Sequence, residues 1–136
     1  MTIGVRTLVI DEEQRVLLVR HGYTPGWHIP GGGVDRNETI EQAARRELEE
    51  ETGFRPGEEC ELVGLYYNPR IWRGDHVAFY KFDAVEKVRD FVPNAEIREI
   101  GWFAVDALPQ DATKSTAARL DEVLHGAPRP PRWSDR

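Results

Sequence analysis

The stretch TIEQAARRELEEETGF, Thr39–Phe54, fixes a helix and, through it, the reading of the whole chain. Thr39 and Gln42 match a capping box, in which the threonine hydroxyl accepts from a free amide of the first turn and the glutamine side chain reaches back. Gly53 can take the left-handed conformation that ends a helix, and Pro56 follows it. Wound at roughly 100° per residue from Ile40, the residues Ala43, Ala44 and Leu48 fall at roughly 300°, 40° and 80°, which centres the buried side near Ile40. Glu47 and Glu51 fall at roughly 340° and 20°, inside that arc, and Glu50 at roughly 280° sits on its edge. Gln42, Arg45 and Glu49 land on the water side. A merely solvated charge run, held by pairs such as Arg45–Glu49 and Arg46–Glu50, would keep all its acids opposite the apolar stripe. Three of them break that rule.

Turning a carboxylate inward without compensation costs several kcal/mol, against a domain stability of about 5–15 kcal/mol. A cation is therefore expected at the inner face. Hard oxygen ligands at i, i+3 and i+4, with no His or Cys pair nearby, suit Mg²⁺ or Mn²⁺ better than Zn²⁺. An arginine or lysine from elsewhere in the chain is the structural alternative. The preceding loop, PGGGV (Pro30–Val34), lets backbone approach a ligand closely, as a phosphate site beside a metal requires.

The rest of the chain frames this helix. Its 136 residues, of which 40% are hydrophobic and 31% charged, with a net charge of −6, describe one acidic domain and disfavour generic binding to nucleic acid. No apolar run approaches the roughly 20 residues that span a bilayer, so no membrane partner is expected. Cys60, alone, forms no internal disulfide, and MTIGVRTLVIDEEQ lacks the sections of a secretion signal, which points to a cytoplasmic protein. IGVRTLVI (Ile3–Ile10) and RVLLVR (Arg15–Arg20) read as a hairpin. Trp27–Ile29, Cys60–Tyr67, His76–Val85 and Arg98–Val105 read as further strands, and TKSTAARLDEVLHG as a second helix stopped by Gly126. Strands on both sides of a central helix, with a second helix at the end, imply an α/β domain over residues 1–126 with a mixed central sheet between helices. The Pro/Arg-rich tail, 127–136, is expected to hang free or to pack loosely through Trp133.

Gly32, Glu38, Arg46, Glu47, Leu48, Glu50, Glu51, Gly53 and Phe54 occupy every fixed position of the Nudix box, G-x5-E-x7-R-E-U-x-E-E-x-G-U, where U is bulky and apolar. The chain thus resembles the Nudix, or MutT-like, hydrolases, and WHIPGG before the box and EIREIGWF after it extend the likeness. The resemblance implies an α/β/α sandwich with a mixed sheet and a Mg²⁺-dependent enzyme, Mn²⁺ being possible, that cleaves a phosphoanhydride in a small nucleotide. It implies Glu47, Glu50, Glu51 and the Gly31 carbonyl as metal ligands, Arg46 as their orienting group and Glu38 as support one step removed. Glu47 is then the first candidate for the base and Glu96 the second.

Substrate preference lies outside the box. Pro69, 15 residues after Phe54, resembles the proline of ADP-ribose pyrophosphatases, which favours ADP-ribose or a related nucleotide sugar over nucleoside triphosphates. Gly32, His28, Tyr67 and Arg70 are the candidate substrate contacts, the tyrosine for stacking and the arginine for phosphate. Trp27 alternates to the face opposite His28 and reads as core. A nucleotide-binding sensor without turnover is the alternative, opposed by the full set of box acids. The expected assembly is a monomer or homodimer.

Overall fold

The computed structural model describes residues 1–69 and 73–134. Its strands are β1 (Thr2–Val9), β2 (Arg15–His21), β3 (Trp27–His28), β4 (Gly31–Gly33), β5 (Phe54–Pro56), β6 (Cys60–Tyr67), β7 (Asp75–Phe82), β8 (Val85–Lys87) and β9 (Ile97–Ala104), with helices α1 (Ile40–Thr52) and α2 (Lys114–His125). A mixed sheet runs in the order β4-β1-β7-β6, parallel between β1 and β7 and antiparallel elsewhere. A second, antiparallel sheet runs β3-β2-β9, and β5 pairs with β8.

Strand alternation divides the interior between two helices. Val16 and Leu18 of β2, and Val77 and Phe79 of β7, point into a cluster with Leu120 of α2. Leu17, Ala78, Tyr80 and Phe82 point the other way, into a cluster with Ala43, Ala44 and Leu48 of α1. Because side chains alternate faces along a strand, an unbroken apolar run such as Val16–Val19 signals burial on both faces. All four residues are fully buried. The result is the expected α/β/α sandwich with a mixed sheet.

Two expectations need correction. β1 and β2 do not form a hairpin: they join only through the bridge Ile10↔Val16 and then part into different sheets. Each strand has two apolar faces to cover, which one shared ladder would not achieve. The strand expected over His76–Val85 breaks at Asp83–Ala84, where Gly57 N–H donates to Ala84 O (2.9 Å) and the chain turns to pair with β5. Of the two pairs that a solvated run would use, Arg46–Glu50 forms (3.1 Å); Glu49 meets Arg55 (2.7 Å) and Arg89 instead, while Arg45 holds Glu41 and the carbonyls of Gly57 and Glu58. Of the two expectations for the tail, packing through Trp133 is the one seen. Tyr67 N–H donates to Pro131 O (2.7 Å), Trp133 N–H donates to Tyr67 O (2.9 Å), and the Trp133 ring is buried against Tyr66 and Phe79.

Both ends of α1 are built as the sequence implies. Thr39 Oγ1 accepts from Gln42 N–H (3.0 Å) while Thr39 N–H donates to Gln42 Oε1 (2.8 Å). Gly53 closes the helix at φ 81°, in the left-handed region, with its N–H donated to Glu49 O. A Cβ there would lie 2.5 Å from the Arg89 carbonyl oxygen. Gly53→Ala is therefore expected to destabilise the fold by about 2 kcal/mol, read as a lower urea midpoint with an unchanged m-value. Gly33→Ala, where a Cβ meets nothing within 4 Å, should leave the midpoint in place.

Candidate active site

α1 delivers the acids and β4 delivers the backbone they face. Arg46 is the hub. Its guanidinium grips both oxygens of Glu38 (3.0 and 2.6 Å) and donates to Glu47 Oε1 (3.0 Å), Glu50 Oε2 (3.1 Å) and the Gly33 carbonyl (3.0 Å). Asp35 lies at 3.4 Å from the same group. A planar fork of donors suits this convergence better than a point charge would. The Arg46 hydrogen bonds, helped by the Asp35 amide, hold the Glu38 carboxyl down at about 2. The same acids, Glu38 foremost, push the Arg46 guanidinium above its usual range.

Arg46, on the same helix as the acids and not from elsewhere in the chain, is thus the cation that serves Glu47 and Glu50. It does not serve Glu51. That side chain is buried, and neither carboxylate oxygen has a hydrogen bond of acceptable geometry. Its neighbours are the Glu47 carboxylate and the Gly31 amide. Burial, reinforced by Glu47, raises Glu51 to about 9, with Arg6 and the Gly31 amide pulling the other way. The Arg6 guanidinium itself donates to the Ile29 carbonyl (2.8 Å). A buried carboxylate left in this state is the group a bound cation would satisfy.

The glycines make room for this arrangement. A Cβ on Gly32 would fall onto the Glu47 carboxylate, and one on Gly31 would fall onto the Val5 carbonyl of the paired strand β1. Only bare backbone lets the loop and the acids come so close. As the side chains stand, no three His, Cys, Asp or Glu among the described residues converge on a single ion position. The orphaned Glu51 oxygens and the Glu47 carboxylate seated on Gly32 are nevertheless hard-oxygen donors of the kind that fits a divalent ion.

Beside the acids lies a cleft of about 250 Å³ whose walls include Arg6, His21, His28, Asn68, Thr113 and Trp133. Arg6 connects the two regions, since β1 pairs Arg6 with Gly31 across the sheet. His28 is on this wall, and its Nε2 lies 3.1 Å from Pro25 O. Tyr67 is not: its ring packs against His76 at 5.4 Å and beneath the Arg132 guanidinium at 5.1 Å. Asn68, the next residue, takes that wall position. Glu96 is exposed and lies beside His21, with its backbone carbonyl accepting from Gly22 N–H. Arg70 lies outside the described residues. Trp27 is core, as expected. Arg6 was missed in the sequence, though a single charge inside an apolar strand is the kind of signal that marks a buried functional cation.

Glu51 makes the metal-free protein sensitive to pH. Below the ordinary carboxyl value of 4.5 both folded and unfolded chains hold the proton. Between there and about 9 only the unfolded chain ionises, so stability falls across that interval and levels off above it. Glu51→Gln is expected to remove most of this slope and, at pH 8 in chelator, to raise the melting temperature by roughly 5 °C. Thermal melts from pH 5 to 9 provide the measurement.

The family model for the NUDIX domain matches residues 1–124. The chain is 36% identical over 105 residues to an ADP-ribose pyrophosphatase of Methanocaldococcus jannaschii, covering 75% of this chain and 62% of that one. It is 29% identical over 140 residues to the nucleoside triphosphatase NudI of Klebsiella pneumoniae (strain 342), covering 86% of this chain and 95% of that one. Among solved structures, the MutT NUDIX hydrolase from Burkholderia pseudomallei superposes with a TM-score of 0.76 at 29% identity, over 90% of this chain and 97% of that one. With the box acids on α1, the glycine backbone beneath them and the sandwich that carries both, the chain belongs to the Nudix hydrolase family.

Proposed function

We propose that this enzyme hydrolyses the phosphoanhydride of nucleoside diphosphates joined to a second group, with ADP-ribose or a related nucleotide sugar ahead of nucleoside triphosphates. The observation that carries the site assignment is Glu51, buried without a partner beside a Glu47 that rests on the Gly32 backbone. The substrate preference is supported by the position of Pro69 and by similarity to an ADP-ribose pyrophosphatase. Similarity to a nucleoside triphosphatase favours the second reading, in which triphosphates are cleaved.

In this reading Glu47, Glu50, Glu51 and the Gly31 carbonyl hold Mg²⁺, or Mn²⁺ in its place. Such cations supply the positive charge that offsets the phosphoryl oxygens and acidifies the attacking water. Arg46 keeps Glu47 and Glu50 oriented, and Glu38 keeps Arg46 in place. Glu47 takes the proton as the water oxygen bonds to phosphorus and the bridging P–O bond breaks; the departing phosphate leaves with the electron pair. Glu96 is the second candidate for that role, but its place beside His21 gives it less claim than Glu47.

A nucleotide panel assayed with Mg²⁺ tests the substrate. The expected outcome is AMP and ribose phosphate from ADP-ribose, with a higher kcat/KM than for any triphosphate; cleavage of triphosphates alone, to monophosphate and pyrophosphate, refutes the preference. Glu47→Gln and Glu51→Gln should each lower kcat by about 100-fold or more, whereas Glu49→Gln should stay within about threefold. Full activity in Glu51→Gln would sink the metal assignment.

A further inference from the structure

The family match ends at residue 124, yet the chain beyond it is tied into the body more firmly than a linker requires. Arg119 and Glu122, on α2, are both buried and joined by three hydrogen bonds of 3.1, 3.1 and 2.6 Å. Glu122 also accepts from the Tyr66 hydroxyl (2.6 Å). The remaining use of the Arg119 guanidinium is telling: it donates to the backbone carbonyl of Trp133 at 2.6 Å and lies over the rings of Tyr66 and Trp133, at 4.5 and 5.0 Å. A buried ion pair contributes little net stability over an apolar replacement, but it fixes geometry, and loss of one partner is costly. Here what it fixes is the position of Trp133.

That position bears on the cleft. Trp133 and Ser134 stand on its wall together with Arg6, His28, Asn68, Thr113 and Ser115, so the segment after α2 forms one side of a space whose other side meets the acidic cluster through Arg6. At about 250 Å³, the cleft is smaller than the roughly 300–1,000 Å³ of sites that enclose drug-sized ligands. It suits one end of a nucleotide, not the whole of it. Its lining combines an aromatic side chain, imidazoles, a guanidinium and several hydroxyl or amide groups, a set that meets a hydroxyl-bearing sugar or a nucleobase next to a phosphate.

We infer that residues 131–134 are a substrate-binding wall of this enzyme, held in place by Arg119 acting as a positioning residue, and that the cleft they close takes the nucleoside or sugar end of the substrate. This rests on the reading of the substrate as a nucleotide with a terminal group beyond its phosphates. It assigns specificity to a part of the chain outside the family match.

Two variants of the full chain test it. Ser134→Trp fills the cleft from a half-buried position without touching the core, and a chain lacking residues 131–136 opens it. Both are assayed on whichever nucleotide the intact enzyme cleaves best, with circular dichroism confirming the fold. The expected result is a KM raised about tenfold or more with kcat within about threefold, because uniform binding of a remote group is lost while the reacting centre is intact. Weaker equilibrium binding of the product mononucleotide to Ser134→Trp, read by calorimetry, should accompany it. An unchanged KM in both variants, whatever their melting temperatures, overturns the inference and leaves the segment a structural strap. The product analysis of the intact enzyme in the same assay decides the substrate class separately, so an enzyme that prefers triphosphates alters the proposed function and still tests the wall.

Discussion

A carboxylate placed inside the protein with nothing to bond to is the constraint on which the site depends. Glu51 sits in the apolar arc of α1, next to Leu48 and Thr52, which are fully buried. The fold could have neutralised it with the nearest arginine. Instead Arg46 is committed to Glu38, Glu47 and Glu50, and Arg6 to the Ile29 carbonyl. The acids are thereby arranged in two tiers: an outer network neutralised by Arg46 that holds geometry, and an inner carboxyl, Glu51, left without a hydrogen bond. An unsatisfied buried acid lowers stability. Its retention is understandable where binding energy is to be collected from a ligand and not from folding.

The surrounding architecture serves that arrangement. β1 passes beneath the glycine loop and pairs Arg6, Val5 and Gly4 with Gly31, Gly32 and Gly33, so the backbone under the acids is set by a sheet and not by a free loop. α1 is capped at both ends and packs Ala43, Ala44 and Leu48 against that sheet, which fixes its rotation and hence the direction of the acids. Small residues at 43 and 44 let the helix lie close. Sites supported by rigid elements hold their side chains more closely than sites on loops.

A second buried charge gives an instructive contrast. Arg119 is as deeply enclosed as Glu51, but Glu122 and the Trp133 carbonyl accept its hydrogen bonds and the Tyr66 and Trp133 rings face its guanidinium. One buried group is hydrogen-bonded and organises structure; the other is left without a hydrogen bond. Burial alone does not tell these cases apart, whereas the inventory of hydrogen bonds does.

Local order was legible in the sequence wherever one element carried its own evidence. The capping box at Thr39, the left-handed stop at Gly53 and the angular position of Glu47 and Glu51 follow from spacing along a single helix, because helical geometry is set by neighbours three and four residues away. The unbroken apolar run of β2 likewise announced a strand, though not its partner. Which strand pairs with which is decided between segments far apart in the chain: β1 with β7 instead of β2, and Val85–Lys87 with Phe54–Pro56. Such pairings depend on how apolar faces are shared among layers, which no local window contains. The same holds for the site. The sequence by itself determined that Glu47 and Glu51 turn toward the protein body. Only the tertiary structure decided that Arg46 would gather Glu38, Glu47 and Glu50 but not Glu51, that Glu49 would answer to Arg55 and Arg89, and that Arg119 would hold the Trp133 carbonyl, since long-range charge partners and docked segments are chosen by the packing that brings distant residues within reach of one another.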